Sequence, residues 1–188
     1  TAPKDARWIY GSLRCTRVEE VITLLKASDF VGHDLSHSFD YCTPNGPARK
    51  RPDRFVLILR EWRAVVESGE FRCFVSQGLL RAVSQRNISG FYEHLLDEAF
   101  RETLLSAIFA FFDSHLRGHF ELERYAFDVY VGKRNKVKLI DFSPWGPSTD
   151  PLMFDWDELG DLSGSGEQAD CDLRYVKGDG DCRGKIEN

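Results

Sequence analysis

The sequence predicts an α+β fold with an antiparallel-rich sheet, and three observations carry that expectation. Apolar residues recur with a helical period at 18–25 and again at 97–116. Two pairs of apolar, β-branched runs are joined by short polar connections: FRCFVS and LLRAVSQR around Gln77-Gly78, and YAFDVYV and KVKLIDF around GKRN. The resulting order of helix, strands, helix and hairpin is that of an α+β or mixed α/β chain.

The first helix opens at Thr16-Arg17-Val18-Glu19, a capping-box pattern, and Val18, Val21, Ile22 and Leu25 form its stripe to an end near Ser28. Residues 32–54 read as loop, from GHDLSHS to CTPNGPARKRPDR, with Arg49, Lys50 and Arg51 as a solvated basic cluster. FVLILREW (55–62) is a near-continuous apolar run ending in charge, as a buried strand would be. The longest helix spans 97–116; Phe100, Leu104, Ile108, Phe111 and Phe112 make its stripe and Gly118 marks its end. Asp155 to Glu158 has the form of a helix N-cap, and Trp145, Phe154 and Trp156 are expected to pack on the sheet. From Gly160 the composition turns acidic and polar, so residues 161–188 read as a flexible tail in which LRYV (173–176) offers one last edge strand.

Composition narrows the function classes. The 188 residues are 42 % hydrophobic and 13 % aromatic, which supports a real core. A net charge of −5 argues against a general nucleic-acid binder. No apolar run is long enough to span a membrane. Cysteines 15, 42, 73, 171 and 182 are scattered, with no CxxC pair, so neither a zinc framework nor a disulfide scaffold is expected and a reducing compartment suits them. The opening TAPKDARW lacks both an initiator Met and a signal-peptide order, as a processed or excised chain would.

Two acids stand inside the last hairpin, where desolvating a carboxylate is costly. With GKRN as a four-residue loop, Val131 pairs with Lys136 and Asp128 faces Leu139. Asp141 is then the diagonal neighbour of Asp128 on one face, at about 7–8 Å. Two readings are open: structural ion pairs with Lys or Arg, or a shared Mg²⁺ that takes its other ligands from water and phosphate. Ser143 continues the same face. Arg60, Arg72 and Arg86 are the upstream candidates for phosphate, and in their hairpin Arg72 and Arg86 project near one another. His115 and His119 stand four apart with no third ligand, which fits a helix C-terminus better than a metal site. No GxSxG elbow supports serine catalysis.

The blocks TAPKDARWI, LILREW, GEFRCFV, AVSQRNISGFYEH, FDVY, LIDFSPWG and PLMFDWDEL, in that order over residues 1–160, resemble the cell-division-cycle protein 123 family. The resemblance implies an ATP-grasp-like domain over 1–160 that binds ATP and Mg²⁺ between two lobes. It also implies a cytoplasmic assembly chaperone that binds the gamma subunit of eukaryotic translation initiation factor 2 and promotes formation of the trimer. No direct nucleic-acid or membrane partner is implied, and a monomer is expected. Asp128 in FDVY and Asp141 in LIDF match the family's metal-ligand aspartates. Ser143 falls at a third ligand position, where the family pattern has Asn. Ala2, Lys4, Arg60 and Gly69 fall in nucleotide-contacting segments, and Arg86 matches a phosphate contact; Arg72 rests on the hairpin reasoning alone. The family's nucleotide-binding lysine lies in a Lys-Leu-Asn-Trp stretch that would precede residue 1, so an incomplete N-terminal lobe and a chain truncated at both ends are expected. The alternatives are an ATP-grasp ligase working through an acyl-phosphate, though no dedicated acid, base or nucleophile stands out, or a degenerate fragment with impaired nucleotide binding.

Overall fold

The structure is a computed structural model that describes residues 13–40, 51–162 and 171–181. The chain divides into two compact units between Arg63 and Ala64.

In the first unit, α1 (Val18–Ala27) begins where the capping pattern places it. Glu20 reaches back to accept from the backbone N–H of Thr16 at 2.7 Å and of Arg17 at 3.3 Å. The Thr16 contact leads the lowering of its carboxyl pKa. Residues 32–37, read from the sequence as loop, belong instead to a second helix, α2 (Asp29–His37). The Ser28 hydroxyl accepts from Val31 N–H at 3.4 Å, and Asp29 complements the positive end of the helix, so a cap outweighs one glycine. Residues 42–50, including Arg49 and Lys50, lie outside the described residues. FVLILREW also departs from expectation. It carries no ladder, and Val56 to Leu59 are exposed, Leu59 by 70 %. An apolar, β-branched composition suits a pleated surface but does not create one, and no strand of the described residues forms a ladder with this run.

The second unit is built on a five-stranded sheet of order β4-β3-β1-β2-β5. Its strands are β1 (Glu70–Ser76), β2 (Leu79–Gln85), β3 (Tyr125–Val131), β4 (Val137–Pro144) and β5 (Asp172–Arg174). All neighbours are antiparallel except β5, which runs parallel to β2. The turn between β1 and β2 has positive φ at Gln77 (55°) and Gly78 (68°), the primed geometry that matches strand twist. β5 begins one residue before LRYV, and the Val176 N–H that follows it donates to Gln85 Oε1 at 3.1 Å, which ties this late segment to the sheet edge.

The sheet is covered on both faces. On one, α3 (Glu98–His115), capped by Asp97 on Phe100 N–H, buries Leu104, Ile108 and Phe112. These pack on Phe71, Cys73, Val75, Val83, Phe127 and Val129, the outward positions of alternate strand residues. Phe112 stacks on Phe127 with ring centroids 6.1 Å apart. On the other face, Phe74 receives Trp145, Phe154 and Trp156 edge-on. Here α4 (Trp156–Asp161) starts at Asp155, which accepts from Glu158 N–H at 2.8 Å while Glu158 accepts from Asp155 N–H at 3.1 Å. Gly118 ends the α3 region with φ 72°. No helix of the described residues is long and apolar enough to cross a membrane.

Phe112 is fully buried between helix and sheet. Phe112→Ala is expected to destabilise the second unit by about 3–5 kcal/mol, read from urea unfolding followed by circular dichroism.

Candidate functional site

Alternation along the strands decides which polar residues meet. Arg72 is paired across β1–β3 with Asp128, so the two side chains share the face opposite α3. Arg72 Nε donates to Asp128 Oδ1 at 2.8 Å and its Nη2 to Oδ2 at 2.9 Å, a forked pair. Its Nη1 donates to the Asp150 carbonyl at 2.8 Å, so all three guanidinium nitrogens are engaged. Arg72 and Asp128 are both buried, at 6 % and 8 % exposure. Arg86, one residue past β2, adds a weaker contact from Nε to Asp128 Oδ2 at 3.3 Å. The hairpin thus brings Arg72 and Arg86 together as expected, and their common neighbour is an aspartate.

The second acid arrives by a different register from the one expected. Val131 pairs with Val137 rather than Lys136, because the connection runs from Gly132 to Lys136, with Arg134 and Asn135 at positive φ (59° and 55°). Carried on unchanged, that register would set Asp128 opposite Ile140 and turn Asp141 to the other face. A bulge between Asp128 and Val129 inserts one residue, and Asp128 then stands directly opposite Asp141. They are cross-strand neighbours, with Cβ atoms about 4.5–5.5 Å apart, not diagonal ones. Asp141 is exposed, and its Oδ1 accepts from the N–H of Phe142 at 2.9 Å. Ser143, opposite Ala126, continues that face.

Two residues missed from the sequence join this face. Glu70 and Lys138 both pair with Tyr130, one rung beyond Asp128, and counting by two from Arg72 and from Asp128 would have found Glu70. Burial raises the Glu70 carboxyl above its ordinary range; nearby Asp128 adds to this and Arg86 opposes it. Gly69 sits at the foot of β1 against the hairpin. A Cβ there would meet the Val131 carbonyl oxygen at 2.7 Å and the Tyr130 ring at 2.8 Å, so only glycine permits the approach. Arg60 lies exposed in the first unit. Ala2 and Lys4 lie outside the described residues. His115 Nδ1 is 3.1 Å from the Phe111 carbonyl and His119 Nδ1 3.1 Å from that of Arg117, contacts that suit the end of α3.

Among the described residues no cluster of three or more His, Cys, Asp or Glu could hold a metal. Asp128, Asp141 and Ser143 are nonetheless hard oxygen donors on one face, beside a half-exposed guanidinium. Mg²⁺ characteristically takes one or two carboxylates and completes its shell with water and phosphate. The donor set therefore fits a magnesium ion that arrives with a phosphate ligand, and falls short of a cage for a resident ion. Asp128, held on both oxygens by Arg72, is a fixed donor, and Asp141 is the accessible one.

A family model described as D123 matches residues 1–187. A protein of Xenopus laevis named translation initiation factor eIF2 assembly protein is 37 % identical over 185 residues, 94 % of this chain and 54 % of its own length. A Dictyostelium discoideum protein of the same name is 41 % identical over 161 residues, 85 % of this chain and 41 % of its own. The structure of Cdc123 from Schizosaccharomyces pombe superposes with a TM-score of 0.73 at 39 % identity, covering 93 % of this chain and 68 % of that one. The chain spans about half the length of the curated relatives it matches.

Removing one partner of a buried ion pair strands the other charge. Asp128→Asn is expected to lower stability by about 3–5 kcal/mol in urea unfolding, and joint replacement Arg72→Met with Asp128→Leu to recover most of that loss. Asp141→Asn, at an exposed position, is expected to change stability by no more than about 0.5 kcal/mol.

Proposed function

This chain belongs to the D123 family, and from that premise we propose that it is part of a cytoplasmic, ATP- and Mg²⁺-binding assembly factor for eukaryotic translation initiation factor 2, acting on its gamma subunit. The names of the relatives support the assembly role. The observation that carries the nucleotide reading is the rung of Asp128 opposite Asp141, flanked by Arg86. Asp128, Asp141 and Ser143 would hold Mg²⁺, which when bound neutralises phosphate charge. Arg72 fixes the rotamer of Asp128 through two hydrogen bonds and so holds that donor in place before any ligand arrives. The terminal nitrogens of Arg86 have no partner among the described residues and suit a phosphate oxygen. An ATP-grasp-like arrangement, with the nucleotide held against this sheet face, belongs to the same proposal.

The serine hydroxyl reaches less far than an Asn amide oxygen, so a metal contact at 143 would pass through water. By calorimetry, in this chain and at the corresponding aspartate of a full-length relative, Asp141→Asn is expected to weaken Mg²⁺-dependent ATP binding by about ten-fold or more, since even an outer-shell partner of a metal ligand is worth about that much. Ser143→Asn is expected to tighten it. ATP binding that responds to neither substitution would remove the metal site. Capture of the gamma subunit that is indifferent to ATP and Mg²⁺ would separate the assembly role from the nucleotide.

A further inference from the structure

Gln85, the last residue of β2, is fully buried, and its side-chain amide bonds to three places in the chain. Nε2 donates to the carbonyls of Asn87 and Gly90, each at 2.6 Å, and Oε1 accepts from the Val176 N–H at 3.1 Å. Two carbonyls on one side and an N–H on the other leave one orientation for the amide. The bond to Asn87 spans Arg86, whose own N–H donates to the Glu70 carbonyl of β1 at 2.9 Å. The main chain at Arg86 is therefore held on one side by β1 and on the other by the Gln85 side chain.

The third bond of Gln85 comes from far along the chain. Val176 is fully buried, and β5 just before it is a parallel edge strand of three residues on β2. So short a strand supplies few ladder bonds, and side chains add to its hold. Arg174 donates to both carboxylate oxygens of Glu158 in α4, at 2.9 and 3.2 Å, and to the Met153 carbonyl at 3.0 Å. Its guanidinium also lies over the Phe154 ring, 4.1 Å from the centroid. The 172–176 segment thus joins α4 to the amide that frames Arg86, and contributes no residue of its own to the candidate site.

Arg86 has need of such a frame. Its side chain is long and rich in rotamers, and among the described residues it makes one hydrogen bond, from Nε to Asp128 Oδ2 at 3.3 Å. A drift of about 1 Å at its main chain would take the guanidinium out of productive geometry, the scale on which a remote misplacement is felt. We infer, on the reading of Arg86 as a phosphate contact, that Gln85 is its positioning residue and that the 172–176 segment, through the Val176 N–H, keeps Gln85 in place. Gln85 never touches the phosphate; it fixes the main chain from which Arg86 reaches. Such coupling is reciprocal, so a phosphate ligand on Arg86 also tightens the docking of Val176.

Two variants of the full chain test this. Gln85→Met removes all three bonds at similar volume, and Arg174→Met loosens the late segment while leaving Gln85 intact. The Nε–H signals of Arg86 and Arg72 are followed by NMR of the isotopically labelled chain without ligand, and ATP·Mg²⁺ binding by calorimetry. In both variants the Arg86 signal is expected to move to the position of a solvated guanidinium. The Arg72 signal, set by its fork on Asp128, is expected to stay, which shows that the sheet is folded. ATP·Mg²⁺ is expected to bind each variant about five-fold or more weakly, and at saturation to slow exchange of the wild-type Val176 amide by a similar factor. An unmoved Arg86 signal in both variants would overturn the inference. So would a moved signal beside ATP·Mg²⁺ affinity equal to that of the wild type. A wild-type chain that binds no ATP·Mg²⁺ would instead remove the nucleotide reading, and the Arg86 signal alone then decides whether Gln85 positions it.

Discussion

The forked hydrogen bonds between Arg72 and Asp128 tie together segments of the second unit that lie far apart in the chain. They cross from β1 to β3 at the centre of the sheet, and through Arg72 Nη1 they also hold the Asp150 carbonyl of the segment that leads into α4. A buried pair of this kind contributes little net stability over a hydrophobic pair of the same volume, because two charges must be desolvated. Its effect is directional. It leaves one rotamer for a carboxylate that would otherwise have several, and it sets where the chain beyond β4 can pass. The aromatic group of Phe74, Trp145, Phe154 and Trp156 then closes that face beside the pair.

The bulge at Asp128 and Val129 is the second constraint, and it acts on geometry instead of energy. Side chains of a strand alternate, so one residue of slip moves everything beyond it to the opposite face. The hairpin tip sets one register and the bulge resets it, which returns Asp141 and Ser143 to the face that carries Asp128. Bulges are common where a strand must re-aim a side chain, and here the re-aimed side chain is the accessible acid of the candidate site. The same displacement lets the two ends of the hairpin differ in character. The tip carries exposed Lys133, Arg134 and Lys136, while the base carries the acids.

Helices and turns with local causes were legible in the residues. Asp97, Asp155 and Glu20 each cap a helix through contacts three or four residues away, and Gln77-Gly78 turns the first hairpin with the backbone its glycine allows. The α3 stripe is readable from period alone, since Leu104, Ile108 and Phe112 fall on one line. What misled was also local. Gly32 and the polar residues after it resemble a loop, yet Ser28 and Asp29 start a helix across them. FVLILREW has every property of a strand except a ladder among the described residues, and a ladder is not a property of the segment alone.

By itself the sequence determined the family, the α+β class, the two hairpins, and the pairing of acids with arginines as the chemistry of interest, because those depend on composition, period and ordered blocks. It could not determine that Asp128 is locked by Arg72 while Asp141 stays open to solvent, nor that Glu70 and Lys138 share their face. Those facts depend on one inserted residue in β3–β4 pairing and on which strand lies beside β3. Only the assembled sheet decides them, because register is a relation between segments and not a property of either one, and Arg72 and Asp128 meet across a separation of 56.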